Sequence, residues 1–260
     1  MSASTEKKKP AFVLVPGASQ NPAQYGYLLH LIQLAGYAAS TGILPSVGAT
    51  EAVTAQDDAD YVRNRLILPM LDVGNHDVII ISHSYSGLPA SAAARGLGPA
   101  DRAAEGKSTS VLGQIFLASI LPKGGDGLSV IAGFGGHVPP HMYIDEKDNL
   151  IKCDDPTPHL FYDLEPTLAA AVTKGSLNQG LTSFSSPCPE TSFHTDAFRG
   201  RIAYIHTLND HAVPYEAQVG MVQASGVEWI TREIASGHSA QLSNPEELTK
   251  IILELGKQWE

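Results

Sequence analysis

The chain is poor in the residues that define several common protein classes. It has two cysteines, Cys153 and Cys188, in 260 residues. Two thiols do not make a disulfide framework for a chain of this length, so both are expected to be free. No apolar run approaches the roughly 18 residues that a membrane span requires. The opening stretch, MSASTEKKKP, lacks the apolar segment of a signal peptide and reads as a disordered tail, residues 1–10, on a cytoplasmic protein. Cations are also scarce: 17 Lys and Arg stand against 27 Asp and Glu, for a formal net charge of −10. The only basic cluster, Lys7-Lys8-Lys9, falls in that tail. Nucleic-acid binding needs a basic face and is disfavoured, as are strongly anionic substrates. The ten histidines show neither H-E-x-x-H nor Cys/His spacing, so no metal and no cofactor is expected. Repeats and low-complexity tracts are absent.

What is present suits a soluble core: 43% apolar and 17% charged residues. AFVLVPG, at residues 11–17, reads as a buried strand closed by a turn. Residues 23–35 carry Tyr27, Leu28, His30, Leu31 and Leu34 at helical spacing, and Gly36 ends the pattern. YAASTGIL is a weaker strand. Residues 50–71 predict a long helix interrupted near Pro69. HDVIIIS and QIFLASILP predict two more strands, with a small-residue helix at 87–95 between them. The alternation breaks at about residues 123–198, a segment rich in Gly and Pro. A bare loop that long is implausible in a compact domain, so it predicts an inserted cap with short helices of its own, such as 164–172. RIAYIHT, a helix at 215–223, VEWITRE and a helix at 244–258 then resume the pattern. Apolar strands alternating with helices predict a mostly parallel, doubly wound sheet, in one α/β domain over residues 11–260.

One stretch in this frame carries chemistry. ISHSYSG, at residues 81–87, joins an apolar strand to a small-residue helix. It fits small-x-Ser-x-small, with Ser82 and Ser86 in the flanking places and Ser84 at the apex. A serine hydroxyl is a weak nucleophile unless a base, an orienting acid and oxyanion donors surround it. HTLNDHAVP places Asp210 just beyond a late strand, and ASGHSAQL places His238 beyond the last one. Each alone has a plain alternative, a helix cap for Asp210 and a surface position for His238. Their occurrence in the order Ser, Asp, His at successive strand ends favours a catalytic set. The oxyanion donors expected are the N–H of Tyr85 and the N–H of Ala18 in the VPGASQ loop, or of Ser19 if that turn differs by one residue.

FVLVPGASQNPAQY, SHSYSG, HTLNDHAVP and SGHSAQLSNPEEL resemble the α/β-hydrolase superfamily over most of the chain. The nearer likeness is to its small single-domain branch of plant methylesterases and hydroxynitrile lyases, with their fungal and bacterial homologues. The resemblance implies the α/β-hydrolase fold, with Ser84 as nucleophile, His238 as base and Asp210 as its orienting acid. Two departures matter. Pro16-Gly17 stands where the plant enzymes have His-Gly. Gly17 and Ser239 stand where the lyases carry a threonine and a lysine, which favours ester hydrolysis over cyanohydrin cleavage.

The expected function is therefore a serine hydrolase acting on an uncharged, fairly hydrophobic ester or lactone. A lyase or cyclase acting on a biosynthetic, polyketide-type intermediate is the alternative, and a ligand-binding protein with a vestigial triad is the third. The partners expected are a small-molecule substrate and, at most, a second copy of the chain as a homodimer. Candidate pocket residues are Ser19 and His83, with Phe134, His137, Tyr143, Phe161, Tyr162 and Phe184 from the cap. The cap also offers His141 and Met142.

Overall fold

The computed structural model describes residues 8–260, so most of the predicted tail lies outside the described residues. The first elements are β1 (Ala11–Val15), α1 (Gly26–Leu34) and β2 (Ala38–Thr41). They are followed by α2 (Ala55–Tyr61), β3 (Val78–His83), α3 (Gly87–Ala93), α4 (Pro99–Ala104) and β4 (Val111–Leu117). The segment that breaks the alternation holds α5 (Val130–Gly133), β5 (Tyr143–Asp145), β6 (Leu150–Lys152), α6 (Pro166–Gly175), β7 (Gln179–Gly180) and α7 (Leu181–Ser185). The chain ends with β8 (Ile202–Thr207), α8 (Tyr215–Ala224), β9 (Ile230–Ile234), α9 (Ala240–Ser243) and α10 (Pro245–Lys257).

Six strands form the main sheet in the order β2-β1-β3-β4-β8-β9. Every described pair in it is parallel. The pleat sends alternate residues to opposite faces, and two cores result. Val13, Ile80, Phe116 and Tyr204 belong to one, beneath α2 and α3. Phe12, Leu14, Ile79, Ile81 and Ile115 belong to the other. There α10 adds Leu248, Ile251, Ile252 and Leu255 at helical spacing. This is the predicted doubly wound sheet, in the α/β-hydrolase arrangement.

Local chemistry moved several predicted boundaries. The helix expected at 50–71 begins at Ala55, because Thr54 caps it: Thr54 Oγ1 accepts from Asp57 N at 3.1 Å, and Asp57 Oδ2 accepts from Thr54 N at 2.8 Å. It continues through wide π-helical turns, Val62–Ile67 and Pro69–Val73, which carry the chain past a proline that has no N–H to give. The β5-β6-β7 sheet within 123–198 was not foreseen, since two- and three-residue strands show no periodicity. Cys153 and Cys188 are both free. No described helix is long and apolar enough to cross a membrane.

Candidate active site

The site is built on the C-terminal ends of β1, β3, β8 and β9. At the end of β3 the chain turns sharply into a 3-10 turn and then α3. Ser84 sits at the apex with φ 57°, in the left-handed region that side chains seldom adopt. Neighbouring groups hold it there. The Ser86 hydroxyl donates to Val15 O at 2.7 Å and accepts from His83 N at 2.8 Å. Ile120 N donates to Ser84 O at 3.1 Å. Gly87 must be glycine, because a Cβ there would lie 2.3 Å from Ile120 O. Ser82 is packed between strands, with its hydroxyl donating to Ile115 O at 3.3 Å. Of the three serines in ISHSYSG, only Ser84 lines the neighbouring cavity.

Asp210 and His238 come to the same place from β8 and β9. His238 Nδ1 donates to Asp210 Oδ2 at 2.8 Å, and both residues are buried. The carboxylate is otherwise saturated. Oδ1 accepts from Ala212 N and Val213 N at 2.8 Å each, and Oδ2 also accepts from the Thr207 hydroxyl at 2.8 Å. Burial alone would raise the Asp210 pKa, but the His238 ring and these donors hold it below the ordinary carboxylate range. With Nδ1 committed as a donor, the second ring nitrogen of His238 is the one left for the cavity, which His238 and Ser84 both line.

His83 was expected in the pocket, and the structure puts it underneath instead. Its ring is fully buried, Nε2 donates to His238 O at 2.9 Å, and Nδ1 accepts from Tyr25 OH at 2.6 Å. Burial, with the neighbouring His238, pushes its pKa down to about 3, so it is a neutral strut beneath the His238 backbone.

The VPGASQ loop lies opposite. Gly17 N donates to Tyr25 OH at 3.2 Å, and Ser19 N donates to Gln179 Oε1 at 3.1 Å. Ala18 N–H has no partner among the described residues, and Ala18 lines the cavity. A Cβ on Gly17 would come within 3.1 Å of Ser84 Cβ, so the close approach of this loop to the serine depends on glycine. Tyr85 N–H lies in the first turn of the 3-10 segment, where helical N–H groups have no intrahelical acceptor.

The cavity encloses about 50 Å³, and its walls are mainly apolar: Ile120, Phe134, Met142, Leu160, Phe184 and Val213. Phe134 and Phe184 are therefore where the sequence placed them. The other aromatic candidates are not. Phe161 packs inside the cap with Leu160 and Leu164. Tyr143 is exposed on β5 with its hydroxyl on Asp154, and Tyr162 stacks on His211 at 3.9 Å. Ser19 does not line the cavity either, and His137 lines the groove that adjoins it instead. No local signal marks Ile120, Leu160, Ala212 or Val213, which fold against the serine from three separate segments.

His141 does reach the cavity. It stacks on His159 at 4.6 Å, and its Nε2 is buried without a partner among the described residues. Burial and the adjacent His159 push its pKa down to about 4. No group of three or more potential metal ligands is found among the described residues.

A strained serine at a strand-to-helix elbow, together with a buried Asp–His pair beside it, defines a carboxylic-ester-hydrolase-like enzyme. The chain belongs to the alpha/beta hydrolase family, whose model matches residues 12–251. It is 26% identical to the alpha/beta hydrolase nvfD of Aspergillus novofumigatus over 94% of this chain and 95% of that one. It is 25% identical to the probable hydrolase R7 of a Phoma species over 95% and 98%. Among solved structures it is similar to the pyrethroid hydrolase PytH, with TM-score 0.73, 17% identity and coverage of 96% and 98%. Polyneuridine aldehyde esterase gives TM-score 0.72, 18% identity and coverage of 95% and 99%. An Arabidopsis methylesterase gives 0.68, 18% identity and coverage of 96% and 99%. At these identities the structural likeness shows the fold.

Proposed function

We propose that the protein is a serine hydrolase that cleaves an uncharged, fairly hydrophobic ester or lactone through an acyl-enzyme on Ser84. The observation that carries this reading is the His238–Asp210 pair, 2.8 Å apart and buried, beside a cavity that Ser84 enters from a strained elbow. His238 takes the Ser84 proton as the hydroxyl oxygen attacks the acyl carbonyl. The N–H groups of Ala18 and Tyr85 receive the oxyanion. His238 then protonates the departing alkoxide, and a water activated by the same ring releases the acid. Asp210 fixes the ring tautomer and stabilises the imidazolium.

The apolar walls support an uncharged substrate. At about 50 Å³ the cavity holds little more than the reacting carbonyl. An adjoining groove of about 380 Å³ shares Ile120, Phe134, Pro139, Ala212 and Val213 with it and extends to Ala217 and Met221. The remainder of the substrate lies there. The pyrethroid hydrolase and methylesterase likenesses also point to esters. The test is labelling by a fluorophosphonate together with turnover of p-nitrophenyl acetate. Both should occur with the wild-type protein, and neither with Ser84→Ala.

His141 favours a second reading, a non-hydrolytic lyase or cyclase. A neutral imidazole with an unpartnered nitrogen on the cavity wall is an additional acid–base group that acyl transfer does not require. Labelling of Ser84 without turnover of any ester or lactone would select that reading.

A further inference from the structure

Asp58, on α2, is fully buried and lies outside the Ser84–His238–Asp210 set. Every group that meets its carboxylate is a donor. Oδ1 accepts from Ser46 N at 3.0 Å. Oδ2 accepts from the Ser46 hydroxyl at 2.5 Å and from the Tyr85 hydroxyl at 2.9 Å. The chain of bonds continues with one consistent direction. The Ser46 hydroxyl accepts from Gln179 Nε2 at 2.7 Å, whose other hydrogen goes to the Ser183 hydroxyl at 2.7 Å. Ser183 in turn donates to Gly180 O at 2.8 Å. Gln179 Oε1 accepts from Ser19 N at 3.1 Å, and Ser19 O accepts from Leu177 N at 2.8 Å.

One buried carboxylate thus connects the two loops that flank Ser84. Toward one side it holds the Tyr85 ring, which also stacks on Phe184 at 4.8 Å. Toward the other it reaches Ser19, a non-glycine residue at φ 63° whose N–H and carbonyl are both clamped by the β7 segment. The Ser19 N–H clamp sets the Ala18–Ser19 peptide plane, which adjoins the one that carries the Ala18 N–H. The arrangement is not an obvious stabilising device. Burial pushes the Asp58 pKa up to about 6, so the ionised form is disfavoured by its surroundings even with these donors in place.

We propose that Asp58 is a positioning residue for the reaction, fixing through Tyr85 and through Ser46–Gln179–Ser19 the two backbone N–H groups that receive the oxyanion. This rests on the serine-hydrolase reading above. Hydrogen-bond donors stabilise a transition state only when they are already aimed, and a displacement of about 1 Å can lower a rate roughly 100-fold.

The test compares the wild-type protein with Asp58→Asn and Tyr85→Phe. The measurements are kcat and KM on p-nitrophenyl acetate, inhibition by an aryl trifluoromethyl ketone, and thermal unfolding. The ketone forms a tetrahedral adduct on the serine and so reports on the oxyanion donors. The expected result is a fall in kcat of roughly 10- to 100-fold with KM nearly unchanged, and a matching rise in the ketone's inhibition constant. Tyr85→Phe keeps the stack on Phe184 and deletes only the hydroxyl, so it carries the test if Asp58→Asn does not fold. Wild-type turnover with unchanged kcat in a folded variant would overturn the positioning role alone. Loss of stability with an unchanged kcat and inhibition constant would do the same, since that is what a purely structural carboxylate gives. A wild-type protein that neither labels nor turns over would overturn the hydrolase reading, and this inference with it.

Discussion

His238 Nδ1 and Asp210 Oδ2 are 2.8 Å apart in a buried pair, and the carboxylate also accepts from Thr207, Ala212, Val213 and Gln218. A carboxylate so fully engaged cannot swing away from the ring. Asp210→Asn should keep the fold but lose the tautomer control, lowering kcat by about 10⁴-fold. Ser84→Ala should lower it by about 10⁶-fold and abolish fluorophosphonate labelling. Steady-state kinetics on an activated ester checks both. Near-normal turnover by Ser84→Ala would rule out the acyl-enzyme.

The elbow depends on Gly87, whose Cβ position is blocked at 2.3 Å by the Ile120 carbonyl. Backbone cannot move aside as a side chain can. Gly87→Ala should destabilise the protein by about 1–3 kcal/mol and displace Ser84. The expected signature is a lower Tm together with slower labelling of the protein that remains folded.

Asp58 makes stability depend on pH in a stated direction. Its folded pKa is raised from 3.8 to about 6, so the folded state holds that proton more tightly than the unfolded chain. Its contribution is most favourable below pH 3.8 and is lost as pH rises through about 6. A shift of that size is worth about 3 kcal/mol. Asp58→Asn removes this dependence. Its stability relative to wild type should therefore improve by about that amount between pH 3.5 and 7, as measured by chemical denaturation. A constant difference across that range would show that the carboxylate is not held in its neutral form.

The outer groove separates long substrates from short ones. Ala217 is exposed and lines that groove without touching the inner cavity. Ala217→Trp should lower kcat/KM for a bulky aryl or long-chain ester by about 10-fold or more while leaving p-nitrophenyl acetate nearly unchanged. Equal effects on both esters would place the bulk of the substrate elsewhere.

Much of the site was legible along the chain. Ser84, Asp210 and His238 each end or follow a strand, and a strand signals itself locally through an apolar run closed by a turn. The elbow's small residues and the Gly17 turn are local as well. The pocket was less legible. The aromatics at 143, 161 and 162 looked equivalent to those at 134 and 184, because nothing local says whether a cap side chain points toward the sheet, into the cap or to solvent. His83 adjoins Ser84 in sequence, but the pleat turns its ring beneath the sheet end to support His238.

The sequence by itself determined the six-stranded parallel core and the order of the three candidate residues Ser84, Asp210 and His238, because periodicity and turn chemistry act over a few residues. It also determined that Ser82 and Ser86 are small places around the elbow. The tertiary structure alone decided which cap residues wall the cavity. It left Ala18 N–H free while Gly17 and Ser19 are occupied. It also joined Asp58 to both sides of the serine through Tyr85, Ser46 and Gln179. Those contacts span up to 160 positions of chain, and only the packed cap brings their ends within hydrogen-bonding distance.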